Sequence, residues 1–306
     1  MPRSLRIEPA DATLGATVTG VRLAALTPAE WGCIEDAFHA HAVLIFPGQH
    51  LSGEDQAALA RRFGELSIEG QLFTNETADG SVRPPDDPVM LLLRGSEGWH
   101  TDSSFQHVSA KVSMLSARKV VSHGGETGWA DMRAAYDALD AETRDRIAGL
   151  AAYHSLFHSQ ARVGQGGASM VNGLAELRGD ARNAEDPAPV GEGSSGYAPG
   201  ALDDRDPPLR PLLKVHPVTG RPALFVGRHA YGIPGLAEEA SEQLLDELID
   251  FACRPPRVLE HRWEVGDLAI WDNRCVLHRA RPWDFSEPRM MFHTRVGGDP
   301  ATETAL

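Results

Sequence analysis

Cysteine is scarce in this chain of 306 residues: Cys33, Cys253 and Cys275 are the only three, and no two stand in CxxC spacing. That argues against a disulfide framework or a thiolate zinc site, and it fits a reducing compartment. Positive charge is also short. Lys and Arg number 29 against 43 Asp and Glu, a net charge of −14, so bulk electrostatics draw the protein to neither nucleic acid nor an anionic membrane. Any basic side chain that matters must act locally, as partner to a small anion. Long apolar runs are missing as well. No window approaches the ~18 residues that a membrane helix needs, and the N-terminal MPRSLRIEPADATLGATV carries no apolar secretory segment. The expectation is a soluble, cytoplasmic protein. The sequence contains no internal repeat, no βαβ alternation and no glycine-rich phosphate loop.

What is there is an ordinary globular composition, 42% apolar and 24% charged, on a chain long enough to bury a sizeable core. ATVTGVRL mixes β-branched residues with glycine and predicts a short strand. Thr27, Pro28 and Glu30 make a capping box that starts a helix. HAVLIFPGQ predicts a buried strand ended by Pro47-Gly48, and residues 52–63 a helix capped by Ser52 and stopped by Gly64. Residues 67–88, rich in Glu, Asp, Gly and Pro, predict a mobile loop. Strands are expected in VMLLLRG, WHTDSSF and KVSMLSARKVV, then a helix over 131–150. The irregular stretch of about 162–211 reads as a lid-like insertion. Strands at 212–218 and 222–228, a helix at 238–252, and strands at 266–278 and 289–297 complete the chain. The expected architecture is one domain over 1–306, mainly β with peripheral helices, as a mostly antiparallel sandwich or barrel.

Three places offer chemistry. His100 and Asp102 stand in Trp99-His100-Thr101-Asp102; on a strand, residues i and i+2 share a face, so both reach one point. An ordinary His and Asp near a strand end would read the same way. His278 ends DLAIWDNRCVLHRA, where Leu268, Ile270, Val276 and His278 are expected on one inward face. A lone inward His is commonly a satisfied core residue. Two histidines with one carboxylate, however, form the facial triad that holds non-haem Fe(II) with positions left open, whereas zinc favours a closed set of histidines or thiolates. Arg289 lies in the strand that returns from His278 through RPWDFSEP. An inward guanidinium needs an anion: one of the protein's own carboxylates, or a dicarboxylate cosubstrate gripped at two points.

The order HxD, a GGET turn, a distal His and an Arg eleven residues later resembles the taurine dioxygenase and 2,4-dichlorophenoxyacetate dioxygenase superfamily of Fe(II)/2-oxoglutarate oxygenases. The resemblance runs almost end to end, through LGATVTGV, HAVLIFPGQ, WHTDSSF, GGETGWADMRAAYDAL, KVHPVTGRPALFVGRHA and WDNRCVLHRARPWDFSEPR. LIFPGQHLS, ADMRAAYDALD, GRPALFVGRHA and WDNRCVLHRARPWDF make the chain similar to aryloxyalkanoate dioxygenases, especially those selective for S-2-aryloxypropionates.

The resemblance implies a double-stranded β-helix (jelly roll), a homo-oligomer, and Fe(II), 2-oxoglutarate and O2 as reaction partners. Residue by residue it implies His100, Asp102 and His278 as iron ligands. Thr127 and Arg289 match the pair that holds the distal carboxylate of 2-oxoglutarate, and Trp263 matches an aromatic lining the cofactor pocket, though a plain core Trp reads alike. The sequence departs from the pattern in three places. The frequent second arginine falls on His293, with Arg295 two residues along the same strand face. The histidine used for sulfonate falls on Glu69, so a sulfonate is poorly provided for. Ser96 stands where several relatives carry Asn. Arg295 or His293 is the expected anchor for a substrate carboxylate, with a surface ion pair as the bland alternative for Arg295, and Ser159 is expected to shape the substrate pocket.

The reaction implied is oxidative decarboxylation of 2-oxoglutarate to succinate and CO2, coupled to hydroxylation of a small anionic substrate. On a 2-aryloxypropionate, hydroxylation beside the ether oxygen gives a hemiketal that collapses to a phenol and pyruvate. The alternative is the same chemistry on another carboxylate, an alkyl sulfate or a sulfonate. Two rivals belong to other classes. For a non-catalytic jelly-roll protein that binds a metal or small molecule, the triad and Arg289 would be expendable. A zinc hydrolase would leave Arg289 and Thr127 without a role.

Overall fold

A computed structural model of the chain describes residues 4–162 and 206–306; most of the expected insertion at 162–211 lies outside them. The largest sheet has seven strands, in spatial order Arg6–Pro9, Ala16–Thr19, Val43–Phe46, Leu268–Asp272, Val112–Lys119, Met290–Val296 and Leu66–Thr74. All its neighbours are antiparallel except Ala16–Thr19 beside Val43–Phe46. A second, antiparallel sheet holds Val258–His261, Thr127–Asp131 and Val276–Ala280. Smaller sheets pair Ala230–Tyr231 and Leu209–Pro211 with Ala151–His154, and Pro222–Leu224 with Leu213–Val215.

Alternation along the strands of the large sheet buries both of its faces. Leu44, Phe46, Val112, Met114, Leu268 and Ile270 pack on one side with Ile34 and Phe38 of the helix Pro28–His41. Val43, Ile45, Leu115, Ala269, Trp271 and Met291 face the other way, toward Trp129, Val276 and Leu277 of the smaller sheet. The site lies on this second side. Helix Pro28–His41 starts at the expected capping box: the Thr27 side chain accepts from the Glu30 amide and Glu30 accepts from the Thr27 amide, so two otherwise unpaired amides of the first turn are satisfied. Helix Glu238–Ala252 buries Ser241, Leu244, Leu245, Leu248 and Ala252, a stripe with helical spacing.

Several elements differ from the sequence expectation, each for a local reason. VMLLLRG is the helix Pro88–Gly95. Asp87 caps it by accepting from the Val89 amide, Pro88 opens it, and Val89, Met90 and Leu93 bury a helical face beside Trp283. The supposed loop 67–88 begins as the strand Leu66–Thr74, an edge strand whose polar residues are tolerated because one side of it is unpaired. The helix expected over 131–150 is two helices, Met132–Ala138 and Ala141–Ile147, because Asp140 caps the second by accepting from the Thr143 amide. The strand expected at 266–278 breaks after Asp272, whose side chain accepts from the Arg274 amide in a tight turn. The chain thereby crosses from the large sheet to the small one. Leu268 and Ile270 therefore face a different core from Val276 and do not share a face with His278. Among the described residues, no helix is long and apolar enough to cross a membrane.

Candidate active site

His278 sits in the strand Val276–Ala280 of the small sheet, and His100 meets it in an isolated antiparallel bridge. WHTDSSF makes no strand beyond that bridge; the chain turns at once, with Ser103 in the left-handed region at φ 56°. His100 and Asp102 thus converge through a turn and not through strand alternation. Asp102 lies between the histidines and the large sheet. One donor atom each from His100, Asp102 and His278 falls within 4.8 Å of the others, and the His278 Nε2 stands 3.8 Å from Asp102 Oδ2.

The protonation of the three groups suits a divalent metal. His100 Nδ1 lies 2.8 Å from the Gly98 carbonyl. A carbonyl only accepts, so Nδ1 carries the hydrogen and Nε2 keeps its lone pair. Burial holds His100 below the ordinary imidazole range, with Asp102 opposing it. His278 lies further below, through burial and then the neighbouring His100. Both are neutral at pH 7. Burial pushes the Asp102 carboxyl up, yet Arg295, His278 and His293 outweigh it and hold the carboxyl well below its usual range. Two neutral imidazoles and one ionised carboxylate form the donor set of a mononuclear Fe(II) site with open positions.

A cavity of about 110 Å³ between the two sheets is lined by His100, Asp102 and His278, and also by Thr127 and Arg289. A space of that size admits a small organic acid. Arg289 precedes the strand Met290–Val296 of the large sheet. Its guanidinium is buried, lies 4.8 Å over the Trp283 ring and donates to the Gly125 carbonyl at 3.0 Å. It forms no salt bridge among the described residues. Burial pushes it down to about 10, with Glu126 opposing, so it remains cationic at pH 7. A buried cation with no carboxylate at salt-bridge distance among the described residues calls for a closer anion. The GGET turn makes room for it. Gly124 and Gly125 both have positive φ; a Cβ on Gly125 would stand 3.2 Å from Arg289 Nε, and one on Gly124 would stand 2.3 Å from the Pro282 carbonyl oxygen.

Thr127 starts a strand of the small sheet, and its Oγ1 accepts from the Trp263 indole at 3.0 Å. Its own hydrogen is left for a ligand. Trp263 does not line the cavity; it is a buried core residue that backs Thr127, a correction to its expected place. Ser159 is likewise outside the cavity, with its hydroxyl against the Leu156 carbonyl and His229 Nδ1, both at 2.8 Å. His293 does line the cavity, its Nε2 3.5 Å from Asp102 Oδ2. Arg295 does not: it is buried and bonds Asp102 Oδ1, so it is neither a surface ion pair nor exposed to a substrate in the cavity. Glu69 is tied to Arg61. Ser96 lines the cavity, as does a largely apolar wall of Phe73, Leu92, Leu93, Leu115, Trp271, Trp283 and Met291 that sequence reasoning had not picked out. No sequence pattern marks these residues, because they gather from separate elements.

A second group, His39, His216 and Asp272, has metal-like spacing. Its chemistry says otherwise. His216 Nδ1 accepts from the Val218 and Thr219 amides, so Nε2 carries the hydrogen it donates to Asp272. Arg274 takes both Asp272 oxygens. Neither residue has a lone pair to spare for an ion, and the cluster ties the end of a large-sheet strand to the residue-216 turn.

Two neutral histidines, one aspartate and a buried arginine awaiting an anion in one cavity are the arrangement of a non-haem oxygenase that uses a dicarboxylate cosubstrate. The comparisons with known proteins agree: the chain belongs to the taurine catabolism dioxygenase TauD, TfdA family, whose profile matches residues 6–295. It is 48% identical over 308 residues to an (S)-phenoxypropionate/alpha-ketoglutarate-dioxygenase of Sphingobium herbicidovorans, covering 100% of this chain and 99% of that one. It is 45% identical over 313 residues to the protein of the same name from Delftia acidovorans, with the same coverage. Among solved structures, AAD-2 in complex with Mn(II) and N-oxalylglycine superposes with a TM-score of 0.82 at 33% identity, covering 99% of each chain. The chain is an Fe(II)- and 2-oxoglutarate-dependent dioxygenase.

Proposed function

We propose that this dioxygenase oxidises a small aryloxy carboxylate of the 2-aryloxypropionate type, releasing a phenol and pyruvate while 2-oxoglutarate becomes succinate and CO2. The observation that carries the reading is the buried Arg289, which forms no salt bridge among the described residues, in the same cavity as the His100, Asp102 and His278 donor set. The substrate branch rests on the two (S)-phenoxypropionate relatives and on the apolar wall of the cavity.

In this reading His100, Asp102 and His278 hold the iron, which when bound supplies the activation of O2 and of the keto acid. Arg289 grips the far carboxylate of 2-oxoglutarate through charge-assisted hydrogen bonds, and Thr127 donates to the same group. Trp263 fixes the direction in which Thr127 donates. Phe73, Leu92, Leu115 and Trp271 exclude water and offer an aryl ring an apolar surface. His293 faces the same space and is the remaining candidate to meet the substrate carboxylate. The domain is a single double-stranded β-helix, a reading supported by the mostly antiparallel seven-stranded sheet and the antiparallel three-stranded sheet, both of which contribute residues to the cavity lining. The free thiols of Cys33, Cys253 and Cys275 support a cytoplasmic protein, and the family resemblance supports a homo-oligomer.

The test is a substrate panel containing both enantiomers of a phenoxypropionate, an alkyl sulfate and taurine. Phenol, pyruvate and succinate are assayed together. Equimolar phenol and succinate from one enantiomer is the expected outcome. Turnover of the alkyl sulfate or taurine alone would move the substrate assignment to that class.

A further inference from the structure

We propose that Arg295 is the positioning residue for the Asp102 carboxylate, fixing both the carboxylate and the turn that carries it, and is not an anchor for the substrate. The proposal rests on the reading of Asp102 as a metal ligand. Arg295 stands in the strand Met290–Val296, behind the cavity wall and away from its lining. Its Nη2 donates to Asp102 Oδ1 at 3.0 Å, and its Nη1 donates to the Ser103 hydroxyl at 2.9 Å. One planar fork thus clamps two consecutive residues, one of which is the left-handed Ser103 that turns the chain away from the site.

The other side of the carboxylate is held as firmly. Ser113 donates to Asp102 Oδ2 at 2.6 Å; Asn273 donates to Ser113 at 2.8 Å; and Trp271 donates to Asn273 at 3.1 Å. The Asn273 amide oxygen also receives the Asp102 amide at 3.4 Å. Asp102 is therefore fixed in rotation by groups from two strands of the large sheet and the turn after Asp272. Oδ1 is committed to Arg295, which leaves Oδ2 as the oxygen that faces His278 and His293. The guanidinium does two things for the site. It supplies the counter-charge that a buried carboxylate needs before a cation arrives, and it restricts the carboxylate to offering one oxygen. A methionine in its place would leave the carboxylate without a counter-charge and free to turn. A lysine would keep the charge and lose the planar fork that grips Asp102 and Ser103 together.

The measurement is a Mn(II) titration of the full chain, with no 2-oxoglutarate or substrate present, reading free Mn(II) by its electron paramagnetic resonance signal. Wild type, Arg295→Met, Arg295→Lys and Ser103→Ala are compared, each checked for folding by circular dichroism. Outer-shell changes of this kind weaken metal binding by about 10–100-fold. Arg295→Met is expected in that range, with Arg295→Lys and Ser103→Ala between it and wild type. Should Arg295→Met fail to fold, the other two variants still decide. Wild-type affinity in every folded variant overturns the proposal, and the same result with a raised KM for substrate alone would make Arg295 a substrate anchor instead. Absence of Mn(II) binding by the folded wild type would overturn the metal-ligand reading of Asp102 itself.

Discussion

His100 and His278 exchange both of their backbone hydrogen bonds, His100 N to His278 O at 3.0 Å and His278 N to His100 O at 2.8 Å. The two residues lie 178 positions apart in the chain, yet this bridge places their rings 4.1 Å centroid to centroid. The imidazole pair is thus built into the backbone, and only the aspartate needs side-chain supports. Four expectations follow from this division of labour.

Arg289 should matter to the cosubstrate and not to the metal. Arg289→Met removes the buried positive charge that lines the cavity, and a lost charge-assisted pair in a buried site costs about 3 kcal/mol, or roughly 10²-fold in affinity. Isothermal titration of the Mn(II)-loaded variant with 2-oxoglutarate should show that loss, while Mn(II) affinity in the absence of 2-oxoglutarate stays at the wild-type value.

Trp263 should act through Thr127. Trp263→Phe keeps the bulk and deletes the indole N–H that orients the threonine hydroxyl. One neutral hydrogen bond is worth about 1 kcal/mol, so the KM for 2-oxoglutarate should rise by roughly five-fold. A Thr127→Val variant should show the same direction of change, and adding Trp263→Phe to it should cost little more. Fully additive effects would show that the two side chains act separately.

The metal-free protein should lose stability as pH falls below neutrality. Burial, with Arg210 adding to it, pushes His154 down to about 3, and neither of its ring nitrogens has a hydrogen-bond partner. Between about pH 6.5 and 3 the unfolded chain therefore binds a proton there that the folded chain does not. Stability present above pH 6.5 is lost on going down, by ~1.4 kcal/mol at pH 5.5 from this one residue. His100, His229, His278 and His293 are lowered as well and act in the same sense. Urea unfolding of the apo protein at pH 7.5 and 5.5 should show the fall, and His154→Phe should shrink it. A flat profile would contradict the burial of these imidazoles in neutral form.

Of the two clusters with metal-like spacing among the described residues, only one should bind an ion. The His39, His216 and Asp272 cluster is closed by the two backbone amides on His216 and the Arg274 fork on Asp272. His216→Ala should therefore leave the Mn(II) stoichiometry at one while lowering the melting temperature. His278→Ala should abolish the site. A stoichiometry of two in wild type would reopen the second cluster.

The sequence carried the donor residues and the reason for them, since HxD, a distal His and an Arg are recognisable as chemistry before any fold is known. It misjudged how they meet. His100 and Asp102 come together through a left-handed turn at Ser103, and serine gives no hint of that conformation. The helix Pro88–Gly95 was hidden because VMLLLRG suits a buried strand equally well, and the deciding signal was the preceding Asp87-Pro88 cap. The break after Asp272 was masked by a continuous apolar run, although the Asp-Asn pair at that point is a turn signal. Ser113 and Asn273 were not visible at all. Their importance comes from a hydrogen-bond chain between strands far apart in sequence, which no local pattern records.

The most direct test of the account is an anaerobic titration of the metal-free protein with Fe(II) and then 2-oxoglutarate, followed by visible absorption. The account predicts a charge-transfer band that saturates at one Fe(II) and one 2-oxoglutarate per chain. It should be absent in Asp102→Ala, and in Arg289→Met it should need far more 2-oxoglutarate. Folded wild-type protein that gives no band, or a band that survives in Asp102→Ala unchanged, would contradict the account.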